Sequence, residues 1–193
     1  DDFARLCEKN KINFIGPSAD SMNLCGDKMR CKEAMLKAKV PTVPGSPDLV
    51  KDADEAEKLA NEIGYPVMLK SVYGGGGRGI RIVTTDQELR DAYETVTAES
   101  MAAVGKSAII VEKFLEKTRH IEYQMCRDHH GNAVHLFERE CSIQRRNQKL
   151  IEQTPSPVVD KAKREEIGEL VVKAAEAVDY TNLGTAEFLR ADN

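Results

Sequence analysis

Apolar residues Ala56, Leu59, Ala60 and Ile63 recur at helical spacing until Gly64 and Pro66 stop the run. Asp52 and Glu55 just ahead of them suit a helix N-terminus. The spacing then shortens. Pro66-Val67-Met68-Leu69-Lys70 reads as a short apolar strand, and Ile80-Arg81-Ile82-Val83 as a second with β-branched alternation. Thr85 and Glu88 open another helix with Leu89, Ala92, Tyr93 and Val96 on one face, and SAIIVEKF at 107–114 is again a strand. Helix, strand, strand, helix, strand predicts a small α+β domain.

The second half alternates differently. In RHIEYQMCR, His120, Glu122, Gln124 and Cys126 share one strand face, while Ile121, Tyr123 and Met125 share the other. His129-His130-Gly131-Asn132 makes a turn, and residues 133–138 return. In CSIQRRNQKLIEQTPSP, Arg145, Arg146 and Lys149 lie among the amides Gln144, Asn147 and Gln148, which is either an exposed basic patch or an anion site. Asp160 caps a long helix whose Ile167, Leu170, Val171, Ala174 and Val178 face a core. GTAEFL then forms a strand carrying one carboxylate, Glu187.

Between the first two strands stands KSVYGGGGRGIR. Gly74, Gly76 and Gly79 formally match G-x-G-x-x-G, but the dinucleotide fingerprint opens a helix, and here a strand follows. A P-loop ends in Gly-Lys-Ser/Thr, which this stretch lacks. The kinase H-R-D and D-F-G partners are also absent. Four consecutive glycines exceed what a hairpin turn needs. The loop is therefore expected to cover phosphates with its backbone N–H groups.

Composition narrows the classes. The chain has 193 residues, enough for one domain or two small ones, with 41% hydrophobic and 31% charged residues. A formal net charge of −4 argues against general affinity for nucleic acid or anionic membranes, though a local basic pocket is compatible with it. Five cysteines without a C-x-x-C pair favour free thiols in a reducing compartment over a disulfide framework. No apolar run reaches membrane-spanning length.

Taken together, these segments resemble the biotin carboxylase component of biotin-dependent carboxylases, within the ATP-grasp superfamily. The resemblance rests on FIGPSADSMNLCGDK, VPTVPGS, GYPVMLK followed three residues later by GGGGRGIRIV, IIVEKFLEKTRHIEYQ, ERECSIQRRNQK and GTAEF, in family order. The Glu-Cys and Arg-Arg-Asn form of the fifth segment is most like acyl-CoA carboxylases of the propionyl/acetyl type, although pyruvate carboxylases share most of it.

The resemblance implies an α+β ATP-grasp fragment, holding the lid subdomain and the start of the C-terminal ATP-grasp subdomain. Residues 1–15 would end an N-terminal domain with a helix and a strand, 16–42 form a helical linker, 43–114 the lid, and 115–193 the first part of the C-terminal subdomain. It implies that bicarbonate attacks the γ-phosphate of ATP, with Mg²⁺ or Mn²⁺, and that the resulting carboxyphosphate carboxylates biotin on a carrier domain. A carboxyltransferase component would be a further partner. The parent would be a homo-oligomer binding neither nucleic acid nor membrane, cytoplasmic, or in the mitochondrial matrix of a eukaryote.

By the same resemblance Lys28 and Lys70 contact phosphates, with Gly74, Gly75, Gly76 and Gly77 closing over them. Glu112, Lys113 and the Leu115 backbone hold the adenine side. His120 and Gln144 lie at the ribose and a neighbouring phosphate, with Asn147 standing where many members carry histidine. Lys149 faces the phosphate–bicarbonate region as a catalytic group, and Glu187 is a metal carboxylate. Val72-Tyr73 depart from the small residues common before the glycines. A second metal ligand, the principal base and an arginine are expected beyond residue 193, so the fragment alone is expected to be inactive. Another ATP-grasp ligase of the carbamoyl-phosphate or purine-synthesis kind, or a bare nucleotide-binding module, are the alternatives.

Overall fold

Three acceptor side chains set the helix starts that the sequence predicts. Asp52 Oδ1 accepts from the Glu55 amide at 2.8 Å, Thr85 Oγ1 from Glu88 at 3.3 Å and Asp160 Oδ1 from Lys163 at 2.8 Å. Glu55 and Glu88 reach back to the amides of Lys51 and Thr84, each at 2.8 Å, so both helix starts satisfy donors reciprocally. The computed structural model describes residues 1–72, 79–146 and 148–191. These divide into two units, Val43–Glu116 and the combination of Asp1–Thr42 with Lys117–Asn193.

In the unit Val43–Glu116, β1 (Val67–Ser71) is the central strand of a three-stranded antiparallel sheet, between β2 (Ile80–Val83) and β3 (Ile109–Lys113). Here α4 (Ala53–Ile63) and α5 (Asp86–Val104) pack with the strands around Ala56, Ala60, Val67, Leu69, Val83, Leu89, Val96, Ile109 and Val111. The expected order of elements is the observed one. Gly45 pairs with Glu112 at the edge of β3, so close that a Cβ on it would sit 2.6 Å from the Val111 carbonyl. The expected glycine lid, Gly74 to Gly77, lies outside the described residues, as do Val72's neighbour Tyr73 and Asn147.

The other unit is built on a four-stranded antiparallel sheet, ordered β6 (Gln148–Gln153), β5 (Ala133–Arg145), β4 (Arg119–Arg127) and β7 (Asn182–Arg190). Ile121, Tyr123 and Met125 of β4 are buried with Val159, Val171 and Ala175, beneath α6 (Lys161–Ala177). Arg164 of α6 grips the fully buried Glu138 through Nε and Nη2, with contacts of 2.7–3.0 Å. The chain begins with α1 (Asp2–Lys9), α2 (Ala19–Gly26) and α3 (Lys28–Lys37), the last capped by Asp27.

Two expectations need correction. Residues 10–15 form no strand; neither described sheet offers them a ladder partner. The return strand expected at 133–138 runs on to Arg145, and the basic cluster turns tightly at Arg146 (φ +52°) into β6. Register shifts along β4–β5 and β5–β6, with Phe137 at φ +66°, break the alternation that would have announced so long a strand.

Candidate active site

Because odd-numbered residues of β4 enter the core, His120, Glu122 and Gln124 point to the opposite face of the sheet. Antiparallel register then sets Glu187 of β7 opposite Glu122 on one side and Arg139 of β5 opposite it on the other. Strand β6 brings Lys149 alongside, paired with Gln144.

Glu122 is the centre of this cluster, its side chain only 4% exposed. Arg139 Nη2 donates to Glu122 Oε2 at 3.0 Å and Nη1 to Gln124 Oε1 at 3.0 Å, while Nε lies 3.4 Å from Glu152. The Lys149 ammonium contacts Glu122 Oε1 and donates to Glu187 Oε1 at 2.8 Å. That hydrogen bond, working against partial burial and helped by His120, holds the Glu187 carboxyl below the usual carboxylate range.

The orientation of His120 follows from its neighbour. Gln144 Nε2 donates to the Cys141 carbonyl at 2.9 Å, which fixes the amide nitrogen on that side. The same nitrogen lies 3.3 Å from His120 Nδ1, making Nδ1 the acceptor and placing the ring proton on Nε2 in the neutral imidazole. Nε2 faces Glu122 Oε1 at 3.3 Å and Glu187 Oε1 at 3.5 Å. Ser142 Oγ accepts from the His120 amide at 2.9 Å, pinning the backbone there.

One atom from each of His120, Glu122 and Glu187 lies within 4.8 Å of the others. His120 Nε2 and Glu122 Oε1 are buried and have ion contacts but no hydrogen bond of ordinary geometry. Two converging carboxylates fit an oxygen-preferring dication such as Mg²⁺; the imidazole does not belong to such a ligand set.

In the other unit, Lys70 Nζ contacts Glu112 Oε2 across the β1–β3 pair. Lys113 Nζ donates to the carbonyls of Gly64 at 2.8 Å and Tyr65 at 2.9 Å, tying β3 to the end of α4. Leu115 is half-buried just past β3. Lys28 is the exposed first residue of α3.

The structure thus gathers His120, Gln144, Lys149 and Glu187 in one unit and pairs Lys70 with Glu112 in the other. The sequence put Glu122 on the correct face without giving it a role, though its period-two spacing from His120 was the available signal. Arg139 carries no local signal in the sequence, because only strand register reveals what it meets.

The family model described as carbamoyl-phosphate synthase L chain, ATP binding domain, matches residues 27–193. The chain belongs to this family. Among relatives of this ATP-binding domain, the biotin carboxylase of Nostoc sp. is 50% identical over 97% of the chain. The 2-oxoglutarate carboxylase small subunit of Hydrogenobacter thermophilus is 52% identical, again over 97%. The chain spans 42% and 40% of those two proteins. The biotin carboxylase domain dimer of the Hydrogenobacter enzyme, solved with MgADP, ADP and bicarbonate, superimposes with a TM-score of 0.89 at 51% identity, covering 99% of this chain and 42% of that one. A biotin carboxylase from Campylobacter jejuni gives 0.90 at 46% identity, covering 100% and 43%. The fold is that of an ATP-grasp domain fragment.

Proposed function

We propose that this chain is the nucleotide- and phosphate-handling part of a biotin carboxylase, which uses ATP and bicarbonate to carboxylate biotin on a carrier domain. The observation that carries the reading is Lys149, held between a buried and a half-exposed carboxylate beside an oriented His120. A lysine so placed is aimed before any anion arrives.

In this reading Lys149 neutralises charge where bicarbonate oxygen attacks the γ-phosphorus, the bond to ADP breaks and carboxyphosphate forms. Glu122 and Arg139 hold that lysine and its surroundings rigid. The Nε2–H of His120 and the Gln144 amide serve the ribose and the adjoining phosphate. Glu187 would hold Mg²⁺, which when bound supplies charge neutralisation on the β- and γ-phosphates. Lys28 and Lys70 would meet further phosphate oxygens, with Gly74 to Gly77 as their lid. Glu112, Lys113 and the Leu115 backbone would border adenine, and Asn147 would offer an amide to the ribose. Residues 43–114 form the lid in this scheme, 16–42 the linker, 1–15 the end of a preceding domain and 115–193 the start of the C-terminal subdomain.

The final acceptor is proposed to be an acyl-CoA of the propionyl/acetyl type, on the strength of Glu140-Cys141 and Arg145-Arg146-Asn147. A carboxyltransferase partner, homo-oligomeric assembly and a cytoplasmic or mitochondrial-matrix location complete the scheme. Among the described residues no helix is long and apolar enough to cross a membrane.

The test is ATP hydrolysis by the parent protein with bicarbonate, with and without free biotin. Biotin-stimulated hydrolysis that falls at least tenfold in Lys149→Gln is expected. Bicarbonate-dependent hydrolysis indifferent to biotin would point instead to a carbamoyl-phosphate type of ligase.

A further inference from the structure

A second buried carboxylate of β5, Glu140, stands opposite Ile121 of β4, on the core side of the sheet. Both of its oxygens receive serine protons. Ser142 Oγ donates to Oε1, and Ser156 Oγ to Oε2 at 2.8 Å. The nearest cation, Arg119, keeps Nη1 3.7 Å from Oε1 on a half-exposed side chain. We propose that Glu140 is a positioning residue of the candidate site, holding His120 through Ser142 and acting through it rather than on substrate.

A serine hydroxyl has one proton and two lone pairs. With the proton committed to Glu140, each serine turns a lone pair onto a backbone amide. Ser142 Oγ accepts from His120 at 2.9 Å, and Ser156 Oγ from Val158 at 3.3 Å. The pairing of β4 with β5 runs up to Ile121 and Glu140, so at His120 a side chain stands where the ladder would offer a carbonyl. A ladder carbonyl is fixed by the backbone, whereas a hydroxyl rotates to suit its partners. It stays on the His120 amide because Glu140 takes its proton.

The same stretch of β5 holds the ring. Gln144 Nε2, tied to the Cys141 carbonyl, reaches His120 Nδ1 at 3.3 Å. That contact is already long, so a backbone slip of a few tenths of an ångström ends it. On the far side of Glu140, Ser156 is buried and its amide bonds Glu138 at 3.1 Å. The carboxylate therefore refers His120 to the core beneath α6. What the positioning serves, a contact to ribose and the adjoining phosphate, rests on the function proposed above.

The experiment reads the His120 ring nitrogens of the full chain by long-range proton–nitrogen NMR at pH 8. The unaltered chain should show the Nε2–H tautomer alone. In Glu140→Met the two nitrogens should move toward a common shift, as tautomers mix, while the His135 ring signals stay in place and report the fold. Glu140→Gln keeps an acceptor for Ser142 and should retain the single tautomer. Ser142→Ala should behave as Glu140→Met does, and carries the test if that variant does not fold. A single Nε2–H tautomer in Ser142→Ala, or in folded Glu140→Met, overturns the proposal. So does a loss in Glu140→Gln as complete as in Glu140→Met. In the parent protein, Glu140→Met should raise KM for ATP at least fivefold and leave kcat within about twofold. Mixed tautomers with KM unmoved uphold the positioning and strike instead the nucleotide role of His120.

Discussion

The imidazole of His135 occupies the notch that Gly168 leaves in α6, where a Cβ would stand 2.3 Å from Nε2. The ring sits against Tyr123 and Phe137, with centroids 6.3 and 5.3 Å away. Alanine at 168 gains about 1 kcal/mol in helix propensity but forces the ring aside, an overpacking cost of about 1–3 kcal/mol. Urea unfolding should show Gly168→Ala to be destabilising in the natural background and stabilising once His135 is alanine. The same sign in both backgrounds would mean that the ring does not fill the notch.

Arg164 and Glu138 make a second test. Burial raises the Glu138 carboxyl, but the Arg164 fork and the Ser156 amide outweigh it, leaving it below the usual range. A carboxyl lowered on folding contributes stability above its unfolded pKa of about 4.3, and loses it as pH falls through the lower folded value. Arg164→Met strands the charge, and should cost about 3–5 kcal/mol at pH 7. In that variant the Ser156 amide still bonds the carboxylate but the guanidinium no longer offsets burial, so the folded pKa of Glu138 moves upward and the cost shrinks as pH falls. Urea midpoints at pH 7 and pH 5 would show it. An equal loss at both would contradict the account.

Lys149→Gln should raise the Glu187 carboxyl pKa, because the main cause of its depression is removed. A carboxyl-carbon NMR titration of the chain reads this without any turnover. No upward movement would show that Lys149 does not hold Glu187 in solution.

Lys113→Met should destabilise the unit Val43–Glu116 by about 1.5–3 kcal/mol, since two carbonyls at the end of α4 lose a charged donor. Thermal unfolding measures it. A loss below about 0.5 kcal/mol would place those carbonyls in water rather than under Lys113.

The elements with their own local signals were legible in the sequence. Asp52, Thr85 and Asp160 announce helices through side chains that bond within three residues, and β4 declares its two faces by strict alternation. The long β5 was not, since its bulges destroy the period that betrays a strand. The site was half visible. Motif resemblance named Lys149 and Glu187, but their meeting over Glu122, and the grip of Arg139, depend on pairings between residues up to 65 positions apart: Glu122 against Glu187 on one side and Arg139 on the other. Such register is set by the packing of α6 under the sheet, which no local window contains.

The segment between β6 and α6 has no regular structure, yet the Ser156 amide donates to the buried Glu138 carboxylate at 3.1 Å and Thr154 Oγ1 to the Glu138 carbonyl at 2.9 Å. Freeing that amide means opening the carboxylate–guanidinium clasp beneath it. In heavy water, Ser156 should therefore trade its proton as slowly as the central strands, a loop residue keeping the clock of the core.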